Sequence, residues 1–204
     1  MNEPIFLYAP LALMALWGIS FIARTLWVWR TTGENPNKVK NDGSIMTFCA
    51  RIYGITGMAM GIFIVARIFY RDLDRELGTL EYIHHNSIVW AGLVIATVST
   101  LFSIFSQIYM AKSWRIGIPD DSQGEEPGAL VSGGPFRISR NPFFTGLMGN
   151  YIGLFLMMPN ALTLAVIATV WATLNVQIRL EEDFLERTIG ASYSAYKATV
   201  RRWI

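Results

Sequence analysis

Two apolar runs near the C-terminus, Phe143 to Met158 and Ala161 to Gln177, are separated only by Pro159 and Asn160. A break that short sends the second run back along the first. The chain before Phe143 and the chain after Gln177 must therefore meet at one end of the hairpin. Before it stand Gly133-Gly134-Pro135-Phe136-Arg137-Ile138-Ser139-Arg140-Asn141-Pro142, and after it Arg179-Leu180-Glu181-Glu182-Asp183. Arginines and carboxylates forty residues apart in sequence are thereby predicted to share one pocket.

Three further apolar runs precede the hairpin: Ile5 to Trp29, Met46 to Phe69 and Ile88 to Met110. With 52% hydrophobic and 16% charged residues, runs of this length read as membrane helices. The predicted fold class is all-α: a polytopic membrane protein with five spans and an amphipathic C-terminal helical segment that caps a cytoplasmic pocket. The last two runs fall short of the ~20 residues a full span prefers, which suits a tilted hairpin. Residues 1–110 form a three-helix membrane region in this reading. Residues 111–204 form the catalytic region, with the hairpin at 143–177 and C-terminal helices over 178–204. Gly54, Gly57 and Gly61 make a small-residue stripe that predicts close helix packing. Cys49, the one cysteine, lies in an apolar run and reads as a buried small hydrophobe. No cleavable signal peptide is expected, because the N-terminus lacks a positive leader and its first run is long enough to span.

Charge orients the spans. On one side lie only Arg67, Arg71 and Arg75. The other carries twelve Lys and Arg residues, among them Lys112, Arg115, Arg137, Arg140, Arg179 and Arg202. That bias places the C-terminus and the pocket in the cytoplasm and the N-terminus outside. A net charge of +2 gives no reason to expect nucleic acid as a partner. The turn at Asp120 to Gly128 reads as a solvated loop tip. Trp114 and Arg115 are either an interfacial anchor or part of the pocket.

Residue types narrow the chemistry. The only histidines, His84 and His85, are adjacent and on the wrong side, so neither a metal site nor a His-activated nucleophile is expected. No phosphate loop of the GxxxxGK[ST] kind and no GxGxxG is present. What remains is arginine, paired acids, aromatics and a Gly-Pro turn, a set able to hold a zwitterionic, partly aromatic cofactor. Methyl transfer from a sulfonium suits it, because that reaction asks for placement more than acid–base machinery. On a helix, Arg179, Glu182, Asp183 and Glu186 fall on one face while Glu181 points elsewhere, which favours Glu182 as the functional acid.

Gly134-Pro135-Phe136-Arg137 followed by Arg140-Asn141-Pro142-Phe143-Phe144-Thr145-Gly146 resembles the central motif of the isoprenylcysteine carboxyl methyltransferase family, and of the phospholipid methyltransferase-like membrane enzymes around it. Arg179-x-Glu181-Glu182-x-x-Leu185, Gly190-x-x-Tyr193-x-x-Tyr196 and Arg202-Trp203-Ile204 resemble its C-terminal signature. Ser113-Trp114-Arg115-Ile116-Gly117 is similar to a segment that precedes the motif in some members. The resemblance covers about Lys112 to Ile204. It implies a membrane methyltransferase that uses S-adenosyl-L-methionine and takes a lipophilic or prenylated acceptor from the bilayer, methylating a terminal carboxylate. It further implies that Trp114, Arg115, Gly134, Pro135, Phe136, Arg137, Arg140, Asn141, Pro142, Phe143 and Glu182 surround the cofactor. Arg179, Glu181 and Glu182 would be the catalytic group, with Arg179 orienting the acceptor carboxylate through its two-pronged donor geometry. Two positions depart from the pattern: Asn141 stands where His is frequent, and Phe144 where Tyr supplies a hydroxyl. The alternatives are a small NADPH-dependent reductase of the sterol-reductase type and a non-catalytic membrane scaffold of the same fold.

Overall fold

A computed structural model describes residues 4–119 and 130–204, so the acidic turn at Asp120 to Gly128 lies outside the described residues. The long helices are α1 (Pro4–Thr32), α2 (Ile45–Phe69), α4 (Asn86–Tyr109) and α6 (Ala161–Ile189). Each is long and apolar enough to cross a membrane, and α5 (Pro142–Met157) is a shorter apolar helix. A four-residue helix, α3 (Leu73–Glu76), follows α2, and α7 (Ala191–Thr199) lies near the C-terminus. The chain is an all-α membrane protein.

Local chemistry sets the helix ends. Ser44 caps α2 by accepting from the Thr47 amide. Pro142 opens α5, where its missing N–H costs nothing. At the hairpin turn, the Asn160 side chain accepts from the Thr163 amide at 3.0 Å, and the Thr163 hydroxyl accepts from the Asn160 amide at 3.2 Å. This reciprocal cap starts α6 at once after Pro159.

The second hairpin arm is longer than its apolar run suggests. It does not end at Gln177. Helix α6 continues for 29 residues to Ile189 and stops at Gly190, whose φ is +65°. Arg, Leu and Glu after Gln177 are good helix formers, and Gly190 is the first residue to break them. The helix is about 44 Å long at 1.5 Å per residue, against a hydrocarbon core of ~30 Å. Its charged last turns therefore stand clear of the membrane core. The switch from apolar to charged residues marks the membrane surface, not the helix end.

The core is a stripe on α6, Val166, Val170, Leu174 and Ile178, all at most 4% exposed, packed with Met60, Phe63 and Ile64 of α2. Ile19, Ile62, Val98 and Leu101 face outward, as lipid-facing positions do.

The closest helix crossing is α4 on α5, and the Gly54-Gly57-Gly61 stripe has no part in it. A Cβ on Gly153 would lie 2.5 Å from the Ala96 amide nitrogen, and one on Gly146 would lie 2.7 Å from the backbone of Ser99 and Ser103. Gly92, Ala96, Ser99 and Ser103 on α4 meet Gly146, Gly149 and Gly153 on α5, small against small. Gly54 and Gly57, in contrast, have nothing within 4 Å of an added Cβ, and Gly61 meets only the Met14 side chain. At the end opposite the site, Asp74 accepts from Arg67 Nε at 2.7 Å and from Asn160 Nδ2 at 2.9 Å, tying the α2–α4 connection to the hairpin turn.

Gly146→Ala and Gly153→Ala should each lower stability in detergent by about 1–3 kcal/mol, because backbone must move to admit the methyl. Gly57→Ala should be neutral or slightly stabilising, gaining helix propensity into open space. Thermal unfolding of the three variants checks this; equal losses would mean that α2 packs as closely as α5.

Candidate active site

The loop before α5 and the tail after α7 converge on one carboxylate. Glu182 is 3% exposed. Arg140 Nη2 donates to its Oε1 at 2.7 Å, and Arg202 Nη2 donates to its Oε2 at 2.6 Å. Arg140 Nη1 also donates to the Val200 carbonyl at 2.5 Å and to that of Lys197 at 3.3 Å. The backbone N–H of Arg140 donates to the Arg201 carbonyl, while Ser139 Oγ and Asn141 Nδ2 both donate to that of Arg202. Trp203 then stacks on Trp171 of α6 at 5.0 Å. Loop, helix and tail are thus held together around two cations and one anion.

The Gly-Gly-Pro turn has a steric purpose. Gly134 has φ +53°, and a Cβ on it would overlap the ring of Tyr109, as one on Gly133 would overlap the Tyr109 hydroxyl. Pro135 begins a short 3-10 turn that delivers Phe136 to the interior. The Tyr196 hydroxyl donates to the Phe136 carbonyl at 2.6 Å, closing α7 over the turn. Burial pushes the Tyr196 phenol up to about 12, and burial together with the Glu182 charge does the same to Tyr193. The hydrogen bond to Glu182 raises Arg202 further above its ordinary value.

Beside this knot lies a cavity of about 490 Å³, within the size range of small-molecule sites. One part is aromatic and polar, walled by Phe136, Arg140, Asn141, Glu182, Tyr193 and Tyr196. The other is apolar and reaches between α1, α2 and α5, along Trp17, Phe21, Gly54, Gly57, Phe144 and Leu147. Gln177 and Glu181 also belong to the wall, and Gln177 Nε2 donates to Glu181 Oε1 at 2.7 Å.

The structure brings most of the sequence-derived candidates to this cavity. Trp114, Arg115, Phe136, Arg140, Asn141, Pro142, Phe143, Glu181 and Glu182 all line it. Trp114 is 3% exposed, packs edge-on against Phe143 and donates to Thr25, so it is a wall residue and not a surface anchor. Gly134 and Pro135 support the turn behind Phe136 without lining the cavity, and Arg137 is exposed. Arg179 is also exposed and outside the cavity lining. Glu181 does not point away. Successive helix positions differ by about 100°, and a concave wall that wide takes both Glu181 and Glu182.

Sequence reasoning missed Tyr53, Gly54 and Gly57 of α2, and Arg202. The glycine stripe was the available signal on α2, since small residues admit a ligand as readily as a helix. For Arg202 the signal was charge: a buried acid beside one arginine still has lone pairs to satisfy.

These features define a polytopic, all-helical membrane protein with a pocket closed by its own C-terminal tail. The phospholipid methyltransferase family matches residues 87–192, just over half of the chain, and the protein belongs to that family. Phosphatidyl-N-methylethanolamine N-methyltransferase of Saccharomyces cerevisiae (strain ATCC 204508 / S288c) is 26% identical over 136 residues, which cover 65% of this chain and 63% of the relative. The match therefore spans less than two thirds of that relative. No solved structure matches the chain significantly.

Glu182→Gln should destabilise the protein by roughly 3 kcal/mol, since it leaves two arginines facing a neutral amide. Arg179→Ala should stay within about 0.5 kcal/mol, as an exposed position does. Melting temperatures in one detergent test both. The raised phenols set a second expectation. Tyr193 and Tyr196 support folding fully below the ordinary phenol value of 10, and that support is lost as pH rises through about 12. Ultraviolet titration should place their ionisation with the loss of tertiary structure.

Proposed function

We propose that this protein is an S-adenosyl-L-methionine-dependent methyltransferase that methylates the amine of a lipid headgroup. The observation that carries the reading is the acid Glu181 on the wall of a cavity whose other half is apolar and lies between membrane helices. An amphiphile with a cationic or amine headgroup matches that division: apolar chain against α1 and α2, nitrogen against the carboxylate. Family membership and the yeast relative, an N-methyltransferase by name, support the same class.

The donor set suits the cofactor. Phe136, Leu185, Ile189 and Tyr193 offer an apolar and aromatic bed for an adenine, and Asn141 presents an amide on the same wall. Arg140 and Glu182 are already engaged with each other and with the tail, so their part is to hold that wall in shape. When bound, the cofactor supplies an electrophilic methyl group. The chain's own residues align the acceptor, exclude water and take up the proton that the acceptor nitrogen releases. Glu181 is the proton acceptor, held in place by Gln177. The bias of Lys and Arg supports a cytoplasmic site and an extracytoplasmic N-terminus.

Carboxyl methylation of an isoprenylcysteine is the second reading, favoured by the motif and by Arg115 on the cavity wall. Arg179, the residue the resemblance assigns to that carboxylate, stands outside the cavity, which weighs for the amine.

The test uses purified protein in mixed micelles with radiolabelled S-adenosyl-L-methionine, offering phosphatidylethanolamine and a farnesylcysteine side by side. Label in the phospholipid is expected. Glu181→Gln should lower kcat by about a hundredfold or more, with S-adenosylhomocysteine binding by calorimetry changed far less. Label in farnesylcysteine alone would move the acceptor to the carboxylate class. Binding of NADPH in place of S-adenosylhomocysteine would overturn the methyltransferase reading of the site.

A further inference from the structure

The apolar half of the cavity has a closed far end. On α5 the lining runs from Asn141 to Leu154, about 20 Å at 1.5 Å per residue. Going away from Glu182, the last lining residues are Met14 of α1, Met60 of α2 and Leu154 of α5. Met60 and Leu154 are 1% and 2% exposed, and they belong to the core cluster that continues beneath them with Phe63, Ile64 and Met157. Met14 Cε lies 3.1 Å from where a Cβ on Gly61 would stand, so its side chain reaches α2 at the level of Met60. Three helices thus close the cavity at one depth, with two flexible methionines and a leucine.

Just above this floor the wall recedes. Gly57 stands one turn, about 4.5 Å, nearer the site than Met60 and lines the same cavity. Nothing lies within 4 Å of a Cβ added there. Gly146 and Gly153 are glycines because backbone touches them; Gly57 is not. A mid-helix glycine that meets no neighbour costs helix propensity and gains no packing. Against a cavity it makes room. Phe144, Leu147 and Leu154 line that room from α5, and it is continuous with the wall that carries Phe136 and Glu181. A polar pocket that runs on into an apolar dead end suits an amphiphile of limited length.

We infer that this dead end takes one acyl chain of the acceptor lipid and selects its length, with Met14, Met60 and Leu154 as the floor and Gly57 as the opening above it. The inference rests on the amine reading given above. A chain that just reaches the floor buries its methylenes and leaves the nitrogen beside Glu181. A shorter chain leaves the floor uncovered. A longer one must kink, or draw the headgroup away from the acid. Each methylene gained or lost from apolar contact is worth about fourfold, so a mismatch of a few carbons shows in kcat/KM.

The experiment measures kcat/KM of wild type, Met60→Ala and Gly57→Leu on dilauroyl, dipalmitoyl and diarachidoyl phosphatidylethanolamine in mixed micelles with radiolabelled S-adenosyl-L-methionine. The preferred length should move in opposite directions. Met60→Ala lowers the floor and should favour the longest chain, whereas Gly57→Leu raises it and should favour the shortest. The ratio of kcat/KM on the longest to that on the shortest should change on the order of tenfold each way. Binding of S-adenosylhomocysteine should be unchanged in both, since neither residue belongs to the aromatic and polar part of the cavity. Met60→Ala also removes core volume and lowers stability. Gly57→Leu enters open space and should melt with the wild type, so its shift toward short chains tests the inference without the other variant. Chain preference that stays put in both variants, or moves the same way in both, overturns the length selection while leaving the amine reading intact. A destabilised Gly57→Leu would make the glycine a packing residue and overturn it too. Wild type that labels no phospholipid overturns the amine reading, and this inference with it.

Discussion

A carboxylate that is 3% exposed can stay ionised only if its partners replace the water it has lost, and Glu182 has two arginines that do so. They come from opposite directions in the chain: Arg140 from the loop before the hairpin and Arg202 from the tail after α7. No local element could bring these three together. The hairpin does it, by returning α6 to the level at which α5 began. Once the cluster forms, the tail's carbonyls at Lys197, Val200, Arg201 and Arg202 are consumed by Arg140, Ser139 and Asn141. The tail is then committed to lie over the loop, and the cavity acquires its aromatic wall. Its contribution is less to stability than to uniqueness: any other docking of the tail would leave a buried charge alone.

The hairpin in turn depends on two different economies of space. Glycine and serine let α4 and α5 touch backbone to backbone, with no room for a side chain on Gly146 or Gly153. Glycine on α2 does the reverse and keeps Gly54 and Gly57 away from any neighbour. One close crossing fixes α5, and one open face leaves the cavity beside it. The apolar half of that cavity exists because α2 withholds side chains where α5 presents Phe144 and Leu147.

That contrast explains what could be read from the sequence. The meeting of Arg140 with Glu182 was legible, because Pro159-Asn160 permits only a tight return and the distances follow from chain geometry. The membrane class was legible from the length of the apolar runs. The role of Gly54 and Gly57 was not, since small-xxx-small spacing is the same whether a helix or a void lies opposite. The end of α6 was misplaced because hydropathy reports the membrane boundary, and only Gly190 reports the helix boundary. Arg179 was assigned to the site by its motif position, whereas burial depends on which way the helix turns its last exposed residues. The helix-face argument ranks Glu181 below Glu182 because it points elsewhere, a sound inference for a flat interface and a poor one for a concave wall that takes both.

The two neighbouring acids differ most in how completely they are satisfied. Both oxygens of Glu182 meet arginine, so its charge is spent inside the protein. Glu181 accepts from a neutral amide, that of Gln177, and also feels the charge of Arg115. An acid at the level where a membrane helix leaves the bilayer is costly without a close cation. A bound amine would supply that cation at short range, and methylation would leave it charged while stripping its donors one at a time. Each round thus keeps the attraction to Glu181 and weakens the hydrogen bonding around it. On the proposed reading, release of the most methylated product follows from the same residues that capture the least methylated one.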